Sequence, residues 1–192
     1  MKYHEIQNQI EAKYEEIAAL RKKQIEISKS LGLEEVANYS FIDTNGSKVV
    51  LEDLFGTHDE LILIHNMGKN CPYCTLWADG FIGMYRHIIT RCAFALVSPN
   101  THEEVAAFST SRNWTFPCVS AKENTFSMDM GFQIINDEGK NSFMPGYTTF
   151  VKKEGKIYRV ACDTFGPGDF YAPIWYFMEM LHHTDKPWRP IL

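Results

Sequence analysis

The spacing of apolar positions changes at Gly32, which separates an N-terminal helix from a region of shorter elements. Over 2–31, apolar side chains recur at spacings of three and four residues, and Glu, Lys and Arg fill the other faces. This pattern predicts one long amphipathic helix. Its apolar stripe consists of Ile6, Ile10, Ile17, Leu20 and Ile27. An isolated helix of this length is marginal in water, so we expect the stripe to pack on its own domain or across a homodimer, and the seven-residue repeat favours the homodimer. The arm is 1–32 and the main domain is 33–192.

The main domain alternates short apolar runs with amphipathic segments. The pattern predicts a hairpin over 39–51, buried strands at 61–64 and 92–97 around a helix at 72–90, a helix that starts after Thr101, a hairpin over 147–161, and a closing helix at 174–183. A βαβ unit followed by an antiparallel hairpin and a helix is typical of one α/β fold class. That class is the thioredoxin-like fold, with a mixed sheet and helices on both faces.

Two cysteines open the helix that follows the first buried strand, in the run Cys71-Pro72-Tyr73-Cys74. Pro72 suits the first helical position, which places Cys71 at or just before the helix start. Unpaired N–H groups and the helix dipole favour a thiolate there, and the thiolate is the form that attacks disulfides. Cys74 lies one turn further on, close enough to attack a mixed disulfide at Cys71. The order strand, C-x-x-C, helix predicts a thioredoxin-like redox site.

A C-x-x-C pair is also half of a zinc site, and a closed structural zinc site needs four ligands. Cys92, Cys118 and Cys162 stand singly, and the histidines have no ligand-like spacing to them. We therefore favour redox chemistry and expect no metal and no cofactor, while a structural role for the pair stays open. The three single cysteines are expected to be buried small hydrophobic residues.

Composition narrows the class of protein further. The 192 residues are 45% hydrophobic and carry a net charge of −5, which fits one globular domain with an arm and argues against nucleic acid as the partner. No apolar run approaches the roughly 18 residues that a membrane span needs. Five cysteines, an odd number, fit a reducing cytoplasm. We expect a cytoplasmic protein whose partners are protein or small-molecule disulfides and thiols.

Several short motifs resemble a known family. They are Leu54-Phe55-Gly56, the run from Cys71 to Gly83 with Trp77-Ala78-Asp79-Gly80-Phe81 inside it, the run from Trp114 to Ser120, and Pro145-Gly146. Together they resemble, over nearly the whole chain, a thioredoxin-like family catalogued only as a domain of unknown function (family 899). The resemblance implies a thioredoxin fold related to peroxiredoxins and bacterial thiol reductases, and it implies redox chemistry.

The resemblance also bears on the reaction. Cys-Pro-Tyr-Cys is the tetrad of glutaredoxins, and the thioredoxin fold implies a cis-proline that faces the cysteines and holds the substrate backbone, for which Pro145 is the candidate. Peroxiredoxins carry a proline seven residues before the reactive cysteine and a Thr or Ser three before it. Here those positions are Ile64 and Gly68. We therefore predict a dithiol–disulfide oxidoreductase, with a peroxiredoxin-like thiol peroxidase and a non-enzymatic interaction module as alternatives.

Other residues near the motif have two interpretations each. Trp77, Trp114 and Pro117 line a substrate groove or belong to the core. Asp79 moves protons near the thiols, or it accepts hydrogen bonds from a neighbouring loop, as buried acids must. Lys69 and His65 flank the loop before Cys71. A cation at either position lowers the pKa of Cys71 if it lies near the thiol, whereas an exposed lysine is only a solvated cation.

Overall fold

A mixed sheet runs through the main domain, and it has eight strands within the described residues, in the order β1-β10-β9-β4-β5-β6-β2-β3. The structure is a computed structural model and describes residues 2–30, 32–136, 139–182 and 188–192. The strands are β1 (Glu34–Val36), β2 (Ser40–Asp43), β3 (Lys48–Val50), β4 (Glu60–His65), β5 (Ala93–Ser98), β6 (Cys118–Ser120), β9 (Gly146–Lys153) and β10 (Lys156–Thr164). A separate small sheet pairs β7 (Gln133–Ile135) with β8 (Asn141–Phe143).

The helices are α1 (Lys2–Lys29), α2 (Pro72–Ile88), α3 (His102–Ser111), α4 (Phe126–Asp129) and α5 (Ile174–Glu179), with a 3-10 turn at Leu51–Phe55. Strands β4 and β5 pair in parallel and α2 connects them, which is the predicted βαβ unit. Both predicted hairpins are present, and Thr101 caps α3 with Glu104 as its partner. The predicted thioredoxin-like α/β fold is confirmed.

Three features differ from the sequence-based expectation. Strand β1, which pairs with β10 at the sheet edge, was not predicted because its Glu-Glu-Val sequence has no strand-like apolar pattern. Strands β7 and β8 were not predicted either. Helix α5 ends at Glu179, earlier than the predicted 183, and His183 lies outside the described residues.

Apolar residues bury both faces of the sheet. One face forms a core that includes Phe41, Leu63, Phe126 and Phe150. The other face packs against α2, and its core includes Trp77, Phe81, Phe94, Phe116 and Trp175. Successive side chains along β4 and β5 point to opposite faces of the sheet, so each strand contributes residues to both cores. This packing fixes the start of α2 at the carboxyl end of β4.

Helix α1 matches its predicted bounds closely and has no buried residue. Its second half is held to the domain by the Gln24 amide, which donates to Asp163 (3.0 Å), and by the Ser28 hydroxyl, which donates to the carbonyl of Cys162 (3.1 Å). The five stripe residues are 38–67% exposed. The domain of the same chain therefore does not cover the stripe, and packing across a second copy stays a prediction. No helix within the described ranges has both the length and the apolar character that crossing a bilayer requires.

Candidate active site

Cys71 is the N-cap residue of α2, and Pro72 follows it in the first turn. The main-chain N–H of Cys74 donates to the Sγ of Cys71 at 3.1 Å. Both cysteines are thiols here, with Cys71 9% and Cys74 3% exposed. The cap conformation that Pro72 and the helix start impose therefore turns the sulfur of Cys71 onto the free N–H groups of the first turn.

The two thiols differ sharply in acidity. The S–H of Cys74 donates to the sulfur of Cys71, and this bond lowers the pKa of Cys71 from 9.0 to about 7, helped by the N–H groups of Cys74 and Tyr73 and opposed by burial. The same bond, together with burial, raises the pKa of Cys74 well above its ordinary value. Near neutral pH, Cys71 is thus the more acidic of the two thiols, and Cys74 stays protonated.

The main-chain N–H groups of the loop before Cys71 already donate hydrogen bonds to other protein groups. The N–H of Gly68 donates to Asn66 Oδ1 (2.6 Å), the N–H of Lys69 to Asn100 Oδ1 (2.8 Å), and the N–H of Cys71 to the carbonyl of Gly68 (3.1 Å). Gly68 has a φ of +113°, and a Cβ there would lie 2.8 Å from Asn100 Oδ1, so this position needs glycine. These main-chain donors are consequently not free to bind a ligand at the sulfur.

Lys69 points to α3 and not to the thiolate. Its ammonium group forms an ion pair with Glu104 (2.8 Å), and the Asn100 amide donates to the same carboxylate (3.0 Å). These bonds lower the pKa of Glu104 to about 2. The charge of Lys69 is not among the causes of the lowered pKa of Cys71.

Asp79 joins α2 to the end of α3. It accepts a hydrogen bond from the Trp114 indole N–H (2.8 Å) and forms an ion pair with Arg112. Arg112 was not among the residues that the sequence pointed to. Trp114 also stacks on Phe116, with ring centroids 5.8 Å apart. Asp79 and Trp114 therefore have structural partners. Pro117 is exposed, and its carbonyl accepts the N–H of Leu96 (2.9 Å).

An aromatic cluster packs behind the cysteines. Trp77 is buried and contacts Phe165 and Trp175, with ring centroids at 5.2 and 6.0 Å. Tyr73, between the two cysteines, stacks on Trp175 at 6.0 Å. Trp175 lies in α5, about 100 residues beyond the motif, so no local pattern indicated this contact. The first turn of α2 is thus braced by the C-terminal segment.

Pro145 lies just before β9, and Gly146 pairs with His65 at the end of β4. This pairing places Pro145 near the carboxyl end of β4, where the loop that carries Cys71 begins. Its peptide bond is trans, as are all peptide bonds of the described residues. The cis-proline that the thioredoxin fold implies is therefore not found at this position.

His65 is buried and neutral, so it supplies no charge to the loop. Its Nε2 shares a hydrogen bond with Thr148 Oγ1 (2.9 Å), and its ring stacks on Phe132 with centroids 3.7 Å apart. Burial lowers its pKa to about 3, and the charge of Arg159 adds to the effect. The interpretation of His65 as a cation beside the thiols is wrong.

The remaining cysteines differ from one another. Cys92 and Cys118 are buried as expected, and burial raises the pKa of both, that of Cys118 to about 12. Cys162 is exposed on the last strand, where burial was expected, because it lies in the part of β10 that α1 covers only partly. Within the described residues, no three His, Cys, Asp or Glu side chains are grouped as metal ligands.

A mixed sheet with a C-x-x-C pair at the start of the helix after β4 defines a thioredoxin-like protein with a dithiol site. The chain belongs to the family described as bacterial protein of unknown function (DUF899), whose model matches residues 3–182. The family resemblance found in the sequence is confirmed. No protein with a curated description matches the chain.

The chain is also similar to several solved structures of peroxiredoxin type. The peroxidoxin BcpB of Mycobacterium tuberculosis is 21% identical with a TM-score of 0.56, and the match covers 69% of this chain and 84% of that one. The PrxQ of Xylella fastidiosa is 11% identical with a TM-score of 0.59, and the match covers 77% and 94%. A peroxiredoxin-like protein of Aquifex aeolicus is 14% identical with a TM-score of 0.56, and the match covers 69% and 74%. At these identities the likeness shows the fold alone.

Proposed function

We propose that this protein is a dithiol–disulfide oxidoreductase in which Cys71 attacks and Cys74 resolves. The observation that carries the proposal is the pair of bonds from the N–H and S–H of Cys74 to the sulfur of Cys71. They stabilise the thiolate of Cys71 and keep the second thiol within one helical turn of it.

The reaction balances with a disulfide R–S–S–R′ as the oxidant. The Cys71 thiolate attacks one sulfur, forms a mixed disulfide and releases R′–S⁻. Cys74 then attacks the sulfur of Cys71, closes the Cys71–Cys74 disulfide and releases R–S⁻. The protein gives up two electrons and its thiol proton, and two external thiols or one external dithiol in a reducing cytoplasm would return it to the dithiol.

Efficient peroxidase chemistry is the alternative that the fold neighbours suggest. A peroxide at Cys71 would need donors for its oxygens, as transition states with developing charge do. Gly68 offers no hydroxyl, and the N–H groups of Gly68, Lys69 and Cys71 already donate to other acceptors in and beside the loop. We therefore expect peroxide turnover to be slow and disulfide reduction to be the main activity.

The substrate is expected to be small or extended at its disulfide, because Cys71 is only 9% exposed. Reduction of insulin and of a small disulfide, measured beside peroxide consumption, tests the proposal. Cys71→Ser should abolish disulfide reduction, and Cys118→Ser should leave it unchanged as the matched control. Peroxide consumption at about 10⁴ M⁻¹s⁻¹ or faster would favour the peroxidase. Activity in neither assay would favour an interaction module.

A further inference from the structure

Helix α1 and the C-terminal segment expose one continuous apolar surface, here named the arm surface. It consists of Tyr3, Ile6, Ile10, Tyr14, Ile17, Leu20, Tyr176, Phe177, Met180 and Leu181, which are 38–70% exposed. The Tyr14 and Tyr176 hydroxyls form a hydrogen bond, and the Arg21 guanidinium lies 3.7 Å from the centroid of the Phe170 ring. Helix α1 and the C-terminal segment are therefore in contact.

The arm surface is larger than a monomer usually exposes. If each of its ten half-exposed large side chains contributes about 100 Å², the exposed area of the arm surface is on the order of 1,000 Å². Monomers rarely expose more than a few hundred Å² of contiguous apolar surface, and a stable interface buries about 800 Å² on each partner. A second copy of the chain would therefore bury an area of the right size.

The spacing on α1 indicates that a helix is the partner. Apolar residues at 3, 10 and 17 and at 6, 20 and 27 form two rows of a seven-residue repeat, which Lys13 and Gln24 interrupt. Such a repeat is the pattern of a helix that packs along another helix. Helix α1 carries charges of both signs, so it lacks the basic polar face of a membrane-surface helix. We propose that two copies of the chain dimerise by packing their arm surfaces together.

The oligomeric state tests this proposal. Light scattering during size exclusion should give the mass of two chains for the natural protein and of one chain for the double variant Ile10→Lys/Ile17→Lys. The control Ala12→Lys/Ala19→Lys adds the same charges to the same helix, two residues after each substituted isoleucine and on another face, and should stay dimeric. A natural protein with the mass of one chain, or a dimeric stripe variant, would overturn the proposal. So would binding of a one-chain species to anionic vesicles, which would assign the surface to a membrane.

A second inference concerns the main-chain N–H of Met67, and it rests on the proposed function. This N–H donates to the Sγ of Cys74 at 3.4 Å. It thus reaches the resolving sulfur from the side of the loop, while the S–H of Cys74 points to Cys71. Once Cys71 is bound in a mixed disulfide, its sulfur is no longer a thiolate acceptor, and Cys74 must give up its proton to attack.

We infer that the Met67 N–H stabilises the Cys74 thiolate during the resolving step. In that step the Cys74 sulfur bonds to the sulfur of Cys71, the mixed disulfide breaks, and the leaving thiolate of the substrate takes up the proton that Cys74 lost. A hydrogen bond to a charged sulfur in a buried site is stronger than one to a neutral thiol. The bond therefore favours the form that reacts.

Asn100 is the positioning residue for this N–H. Its Oδ1 accepts the N–H of Lys69 and lies 2.8 Å from the place that a Cβ of Gly68 would take, so it holds the loop directly after Met67. Its amide is fixed in turn by the carboxylate of Glu104. The first turn of α3 thereby anchors the loop that carries the donor.

The chromogenic disulfide DTNB separates the two steps, because attack by Cys71 releases the first coloured thiolate and attack by Cys74 releases the second. A Cys162→Ser background removes the exposed cysteine. Met67→Pro lacks the N–H and should slow the second release about tenfold with the first within twofold. Met67→Ala keeps the N–H and should behave as the background does.

Equal second-step rates in Met67→Pro and Met67→Ala would overturn the inference. If Met67→Pro does not fold, Asn100→Ala decides: it should slow the second release severalfold and leave the first unchanged, and an unchanged second release would overturn the inference. Failure of the natural dithiol to release even the first thiolate would instead overturn the proposed function.

Discussion

The acidity of Cys71 can be tested by removing the thiol that stabilises its thiolate. In Cys74→Ala the S–H donor is absent, and that donor is the largest cause of the lowered pKa of Cys71. The N–H groups of residues 73 and 74 remain, while burial still favours the neutral thiol. The pKa of Cys71 should therefore rise from about 7 toward its ordinary value of 9.0.

The expected change in rate follows from the two acidities. At pH 6, a thiol with a pKa of about 7 is ionised about a hundredfold more than one with a pKa of 9.0. The more acidic thiolate is intrinsically less nucleophilic, by about tenfold for a difference of two pKa units. Cys74→Ala should thus slow alkylation of Cys71 by up to about tenfold at pH 6. The two proteins should react at equal rates at about pH 8, and well above pH 9 the variant should react up to about tenfold faster, because its thiolate is the more basic one.

Alkylation with iodoacetamide at a series of pH values, read at Cys71 by mass spectrometry, gives the midpoint directly. Cys74→Ser is the matched control, because its hydroxyl still donates and should give an intermediate midpoint. Equal midpoints in the natural protein and Cys74→Ala would refute the reasoning. Faster labelling of Cys74 or Cys118 than of Cys71 would refute the assignment of the nucleophile.

Three further predictions concern residues around the site. His65 has a pKa of about 3 in the folded chain and 6.5 in the unfolded chain, so only the unfolded chain binds a proton between these values and the protein loses stability as the pH drops from 6.5 toward 3. His65→Gln should therefore flatten the dependence of the unfolding free energy on pH in this range, by up to about 1.4 kcal/mol per pH unit. Urea titration at a series of pH values measures this slope. Asp79→Asn should lower the unfolding free energy by about 1 kcal/mol, after discounting for its partial exposure, and leave the rate of disulfide reduction within twofold; a tenfold loss of rate would revive its catalytic interpretation. Lys69→Ala should leave the alkylation midpoint of Cys71 unchanged, because Glu104 holds that ammonium group, and a raised midpoint would contradict this.

Local signals predicted the fold and the cysteine pair well. Pro72 after Cys71 indicated the helix start, and the apolar run at 92–97 predicted a buried strand. The hairpin predicted over 147–161 turns at Glu154 and Gly155, which both have positive φ. Each of these depends on a few neighbouring residues and on backbone preferences. Sequence reasoning succeeds where the cause of a structure lies within one element.

Contacts between distant elements were beyond such reasoning. Lys69 and Asp79 were weighed as charges near the thiols, but their partners, Glu104 and Arg112, lie more than 30 residues away. Trp175 reaches the motif from the C-terminal segment, and no spacing along the chain indicates it. A side chain's role here depends on which partner the fold brings to it, and one sequence without its fold does not give that.

Gly68 allows a direct test of the peroxidase alternative. It occupies the position where peroxiredoxins carry a Thr or Ser, so Gly68→Thr restores the missing hydroxyl. The φ of +113° strains any side chain, and the new Cβ would lie 2.8 Å from Asn100 Oδ1, so the loop must move. We therefore expect Gly68→Thr to lower the melting temperature and the rate of disulfide reduction without raising peroxide consumption, with Asn70→Thr as a control in the same loop. A gain of tenfold or more in peroxide consumption would show that the hydroxyl alone separates this site from a peroxidase, and that the loop's own hydrogen bonds do not prevent peroxide binding.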